Sequence, residues 1–210
     1  LGTVVPMRGF NLTHILILVV PIILNGPALL SVAQAQTTSS IAKTEPQKKN
    51  RAERLDDLFS ELKREPNQRK AKQLAGRIAV SWTRSGSATA NALMAWSRQA
   101  MQDGRHSSSF ELINQVIVLL PDYAEGWNRR ATLHYVMQNY VKSMADIERT
   151  LALEPRHFGA LVGMASILTA LGEEDKAIKV YERVLSLYPA NRNAQASMIK
   201  LLQKLEKSEI

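Results

Sequence analysis

Residues 124–140 read AEGWNRRATLHYVMQNY, and residues 158–174 read FGALVGMASILTALGEE. Each stretch carries apolar and small residues at helical spacing, so each predicts an amphipathic helix followed by a turn and the start of a second helix. The starts lie 34 residues apart, and Met164 stands where the first copy has Arg130. Arg129 and Arg130 interrupt an otherwise apolar rhythm. Whether Arg130 binds a ligand or holds helices together depends on what is repeated.

The repeat extends further. Pro121, Pro155 and Pro189 are spaced by 34, and each closes an apolar run: INQVIVLLP, IERTLALEP and YERVLSLYP. Gly104, Gln138 and Gly172 mark a turn at a second fixed phase, again with a spacing of 34. A helix, a turn, a second helix and a closing proline every 34 residues resembles the tetratricopeptide repeat (TPR). The units are 90–123, 124–157 and 158–191. The family pattern W-x2-L-G-x2-Y, A-x3-F, P is met at 124 by Trp127, Arg130, Ala131, His134, Ser143, Ile147 and Pro155. At 158 it is met by Leu161, Met164, Ala165, Leu168, Ala177, Tyr181 and Pro189, and at 90 by Leu93, Trp96, Ser97, Ala100, Ser109, Ile113 and Pro121.

The resemblance implies an all-α, right-handed solenoid of antiparallel helix pairs with a C-terminal capping helix over 192–210. In that helix Met198, Leu201, Leu202 and Leu205 are expected to cover the last repeat, and Lys200, Lys204 and Lys207 to face water. Residues 51–89 predict a degenerate helix pair, broken by Pro66, that caps the N-terminal end of the stack. The resemblance also implies that first helices line a concave groove for peptides. Carried over position by position, its lining is Asn91, Met94, Arg98 and Met101, then Glu125, Asn128, Thr132 and Tyr135, then Gly159, Val162, Ser166 and Thr169, with Lys200 in the last helix. Met and Tyr would supply apolar contact, Asn would meet backbone amides, and Arg98 and Lys200 would meet an acidic group. Asn128 stands where the family's carboxylate clamp uses Lys, and the full clamp set is missing. Related repeats often show Arg and Asp at the positions of Arg130 and Asp146. The resemblance therefore implies a structural pair between these two, with Arg129 exposed.

The beginning of the chain has a different character. Residues 7–35 run MRGFNLTHILILVVPIILNGPALLSVAQA, with Arg8 before an apolar stretch and a small-x-small Ala33-Gln34-Ala35. This reads as a cleaved secretory signal peptide with a mature start near Gln36. Pro21, Asn25, Gly26 and Pro27 interrupt the apolar run that a membrane anchor would need. Residues 1–6 read as an upstream misassignment or an alternative start. The periplasm is the expected compartment, and the complete absence of cysteine leaves packing alone to stabilise the fold. Residues 36–50 predict a flexible linker.

The net charge is +8, of which +5 falls in residues 36–77. No interleaved aromatics accompany this excess, so it reads as a solvated basic linker rather than a nucleic-acid surface. Weak contact with an anionic membrane surface, through Lys48, Lys49, Arg51 and Arg54, is the partner such a segment would attract. No cofactor or metal is expected. His106, His134 and His157 lack zinc spacing, and His134 falls in an aromatic core slot. Ser108 and Glu111 fit a helix-capping box better than a nucleophile. The expected function is thus a non-enzymatic scaffold that binds a peptide of an envelope partner. A self-assembling or membrane-docking module is the alternative, and an accessory that activates a partner hydrolase is a third class.

Overall fold

The computed structural model describes residues 50–208. The expected signal segment, the linker, Lys48 and Lys49 lie outside the described residues. Among those described there are helices and no strands, arranged as four antiparallel pairs and a single last helix. The pairs are α1 (Arg51–Arg64) with α2 (Gln68–Thr83), α3 (Ala88–Gln102) with α4 (His106–Leu119), α5 (Ala124–Val136) with α6 (Tyr140–Leu153), and α7 (Phe158–Ala170) with α8 (Glu174–Leu187). The last helix is α9 (Arg192–Ser208). The second helices of the three repeats begin at 106, 140 and 174, and α5, α7 and α9 begin at 124, 158 and 192, so the 34-residue period is kept in space as well as in sequence. The fold is an all-α TPR-like solenoid.

The period is set by packing. Ser97, Ala131 and Ala165 occupy one slot in the three first helices, and all are buried. Their facing partners Ser109, Ser143 and Ala177 are buried as well. Small side chains on both sides let the two helices of a pair approach closely. Where the slot is polar, its hydroxyl is satisfied: Ser97 bonds Ser109 at 2.9 Å, and Ser143 donates to the Ala131 carbonyl at 2.8 Å. Ile113, Ile147 and Tyr181 then fill the space beside the small pair. Between repeats, fully buried Leu133 packs on Ile113 and Ile117 of the preceding pair.

Two expectations are corrected here. Ser108 and Glu111 form no capping box, because α4 already starts at His106, after Arg105, without a side-chain cap. The short turn at Gly104 leaves no room for a later start. The pair α1–α2 also does not stack on α3 as an N-terminal cap. Its principal partners are α5 and α8. Leu55, Leu58, Phe59, Leu62, Ile78 and Trp82 form one core with Tyr188, backed by Phe158. The hairpin therefore lies against the turns between repeats, at residues 120–123, 154–157 and 188–191. Aromatic side chains at those turns, rather than an exposed face of α3, offer the apolar area it needs. Trp96 on α3 is left 61% exposed in consequence.

The turns inside the repeats repeat their backbone too. Gly104, Gln138 and Gly172 all adopt positive φ, at 71°, 58° and 76°. A Cβ at Gly104 or Gly172 would meet nothing within 4 Å, so the demand there is purely conformational. Gln138 meets the same demand with a side chain, at a cost of roughly 1–2 kcal/mol. Gln138→Gly is expected to stabilise the chain by about 1 kcal/mol and raise its melting temperature, while Gly172→Gln lowers it comparably. Thermal melts of the two variants check this.

Candidate functional site: the first-helix groove and the cleft at its end

The groove is built from first helices, and the structure divides the expected residues into three groups. The first lies on α3 and does not form a common recess with the rest. Met94 is 7% exposed and belongs to the core with Ala90, Leu93 and Val116, which corrects its expected place in the groove. Leu120 and Tyr123, in the turn after α4, fold over this cluster and cover it. Met101 is half-buried against Ile113, Ile117 and Leu133. Asn91 uses its side-chain oxygen to accept from the Ser85 amide and hydroxyl, at 3.1 and 2.8 Å. Arg98 is exposed.

The second group surrounds a recess of about 200 Å³ between α5 and α7, lined by Asn128, Thr132, Tyr135 and Val162 with Gly159 and Gly163 at its floor. Asn128 is already committed: its amide donates to Glu125 at 2.9 Å. Thr132 returns its hydroxyl to the Asn128 carbonyl at 2.9 Å.

The third group opens into a larger cleft of about 810 Å³, where Tyr135, Ser166, Thr169 and Lys200 converge with Tyr181, Ser197, Lys204 and Lys207. Ser166 and Thr169 bond back to the carbonyls of Val162 and Ala165, so their methylene and methyl groups face outward from α7. Lys204 also pairs with Glu174, whose carboxyl is held below its ordinary value by that hydrogen bond. Among the described residues no carboxylate lines the cleft. Lys204 and Lys207 were expected merely to face water. The helical spacing 200, 204, 207 was the signal that they share a face with Lys200.

Beside the groove sits a buried polar node that the sequence motifs did not mark. Glu125, expected in the groove lining, is only 5% exposed and is fully partnered. It accepts from Arg129 Nε at 2.6 Å, from Asn128 at 2.9 Å and from His157 Nε2 at 3.1 Å. Burial pushes its carboxyl up, but the His157 hydrogen bond and the Arg129 guanidinium outweigh this and hold it below the usual carboxylate range. His157 Nδ1 accepts from the Ala160 amide at 3.1 Å and so caps α7. Its Nε2 must then carry the proton that reaches Glu125. The ring lies flat on Trp82, with centroids 4.1 Å apart and planes at 14°. Tyr123, the corresponding residue before α5, donates its hydroxyl to the Thr83 carbonyl at 2.9 Å. Its phenol is pushed up to about 12, chiefly by burial.

Arg130 is held by three partners. Nε and Nη2 donate to Asp146 at 2.8 and 2.7 Å, a bidentate pair. Nη1 donates to Asn114 in the preceding repeat at 2.9 Å, and the guanidinium lies 4.8 Å from the Trp127 ring centre. Arg130 thus links two helices of its own repeat and one of the repeat before. His134, 3.9 Å from the same Asp146, is kept below its ordinary value by burial. Arg129 was expected to be exposed, and its side chain keeps 37% exposure, more than Arg130; it is also the i,i+4 partner of Glu125, because a carboxylate buried in the first turn of α5 requires a cation within reach.

Arg130→Ala is expected to cost on the order of 2–4 kcal/mol, below the full cost of a dry pair because the side chain keeps 22% exposure. Asp146→Ala should cost a similar amount, and the double variant less than the sum by at least ~1 kcal/mol. Arg129→Ala should also destabilise, by about 1–2 kcal/mol, since it leaves Glu125 with neutral partners only. Urea unfolding of the four variants checks all three values. Strict additivity of the Arg130 and Asp146 effects would exclude the coupling.

No family model matches the chain. A TPR repeat-containing protein of Rhizobium etli is 51% identical over 153 residues, covering 73% of this chain and 75% of that protein. Among solved structures, the first TPR domain of RPAP3 (Spaghetti), bound to an HSP90 peptide SRMEEVD, superposes with a TM-score of 0.54 at 22% identity, covering 56% of this chain and 94% of that one. An O-GlcNAc transferase of Thermobaculum terrenum superposes with a TM-score of 0.51 at 24% identity, covering 55% of this chain but 22% of that one. The 34-residue period, the small slots between paired helices and the close relative from Rhizobium etli together place this chain in the family of TPR repeat-containing proteins.

Proposed function

We propose that this protein is a non-enzymatic adaptor of the periplasm that holds a peptide segment of a cell-envelope protein at the α9 end of its groove. The observation that carries the reading is the cleft between α5, α7 and α9. Lys200, Lys204 and Lys207 meet there with Tyr135, Ser166 and Thr169, and among the described residues no acid lines it, although Lys204 is shared with Glu174 at its edge. Such a surface suits an extended segment that carries an acidic side chain or terminus beside an apolar one. The lysines would supply the charge-assisted hydrogen bonds, and the Tyr135 ring the apolar contact. The RPAP3 domain bound to the peptide SRMEEVD is a precedent for peptide binding on the same fold. The signal-like residues 7–35 support the periplasmic part of the reading. The envelope identity of the partner follows from that compartment. Among the described residues no helix is long and apolar enough to cross a membrane, and no cluster of metal-ligating side chains occurs.

The test is affinity capture from envelope extract with the wild-type chain and with Tyr135→Ala/Lys200→Glu. Both positions are exposed, so the melt should be unchanged while capture falls at least tenfold, and wild-type capture should weaken as salt rises. Asn128 is unsuitable for this test, because its loss would also disturb Glu125. Capture at full strength by the double variant would refute the groove reading. Intact mass of the envelope-purified protein should show Gln36 as its first residue, and a mass that retains residues 7–35 would refute export by cleavage.

A further inference from the structure

Helix α9 stands in the position of a first helix, but one of its faces is built differently from those before it. Counted from the repeat start at 192, Ile199 and Leu202 hold the two slots that Ser97 and Ala100, Ala131 and His134, and Ala165 and Leu168 fill in the repeats. Those slots face the second helix of the same repeat. In α9 they are 53% and 42% exposed, which also corrects the expectation that Leu202 covers the last repeat. Leu201 and Ala194 do that instead. The first of the two slots is Ser, Ala and Ala in the repeats because the paired helices approach closely there. Ile199 is too large for that approach. The exposed face of α9 is therefore suited to a helix at a wider separation than a repeat partner takes.

The pattern of this face names its occupant. Arg192, Gln195, Ile199, Leu202 and Glu206 follow the 3-4-3-4 spacing of a helix-pairing stripe, with Ala196 and Gln203 beside it. All lie within about 60° of Ile199 at 100° per residue. The stripe is complementary to itself when reversed about Ile199. Arg192 and Glu206 are each seven residues from it, Gln195 and Gln203 each four, and Ala196 and Leu202 each three. An antiparallel copy would set Ile199 on Ile199, Leu202 over Ala196, Gln203 beside the half-buried Gln195, whose amide nitrogen also donates to the Pro189 carbonyl at 2.8 Å, and arginine against glutamate at both ends. The groove lysines at 200, 204 and 207 fall outside the stripe.

We propose that the exposed face of α9 is a homodimer interface, in which two copies pair through antiparallel α9 helices about a two-fold axis at Ile199. A helix of 17 residues is about 25 Å long. Pairing through it alone buries less than the ~1,200 Å² of a standard interface, the size class of weak, transient complexes. The arrangement is isologous and closes at two. Of the cleft residues only Gln203 belongs to the stripe, so each cleft keeps its own lysines, and on the peptide-binding reading proposed above the dimer is bivalent.

Sedimentation equilibrium of the purified chain across the micromolar to sub-millimolar range tests this. A monomer–dimer equilibrium that stops at two is expected. Ile199→Glu, which places like charges on the axis, should weaken association at least tenfold without altering the melt. Arg192→Glu alone and Glu206→Arg alone should each weaken it, and the combination Arg192→Glu/Glu206→Arg should restore it. A monomer at every concentration would overturn the proposal, including one in which a segment of the same chain protects Ile199. So would association that continues past two, or failure of the reversed pair to restore the dimer.

Discussion

The structure depends on one buried carboxylate. Glu125 sits in the first turn of α5, where the helix end favours a negative charge but burial does not. It is stable there only because every partner is in place: Arg129 and Asn128 from its own helix, and His157 from the next turn between repeats. His157 can donate to it because its other nitrogen accepts from the start of α7. With both nitrogens engaged in the ring plane, the faces of the imidazole are left for stacking, and Trp82 of α2 takes one. A single charge thereby fastens α5, α7 and the α1–α2 hairpin. Around it, Phe59, Phe158 and Tyr188 close an aromatic cluster, and Arg156 reaches Asp56 at 2.7 Å while lying over Phe59.

This fastening bears on the groove. The angle between successive helix pairs sets how open a TPR groove is, and the turns between pairs are where that angle can change. Here the hairpin is laid along those turns. Tyr123 binds it at one turn, His157 and Phe158 at the next, and Tyr188 at the third. Arg130 adds a second restraint from the other side, tying Asp146 in its own repeat to Asn114 in the one before. A groove held this way is pre-organised, which would reduce the ordering cost of the peptide binding proposed above.

Much of the fold was legible because it rests on short-range repetition. Prolines at 121, 155 and 189 and small residues at 97, 131 and 165 determine where helices end and how closely they pair. The Arg130–Asp146 geometry also lay within one repeat, where position predicts contact. The docking of α1–α2 was not legible, since it depends on residues 100 apart, such as Asp56 and Arg156, and on turn positions outside the repeat pattern. Met94 was misplaced for the same reason: the period shows which way it points but not that Tyr123 closes over it. The lysines of α9 could have been assigned to the cleft from their spacing. Their convergence with Tyr135, which lies two repeats away, could not.

Joined through Trp82, His157 and Glu125, hairpin and repeats form one cooperative unit. Hydrogen exchange of the full chain and of Trp82→Ala, followed by mass spectrometry, tests it most directly. In the wild type, α1–α2 should be protected comparably to α5–α8. In the variant, exchange should be faster in the hairpin and also in the first turns of α5 and α7, at residues 124–128 and 158–161, to which Trp82 contributes no backbone. Faster exchange confined to α1 and α2 would contradict it and leave the hairpin an independent appendage.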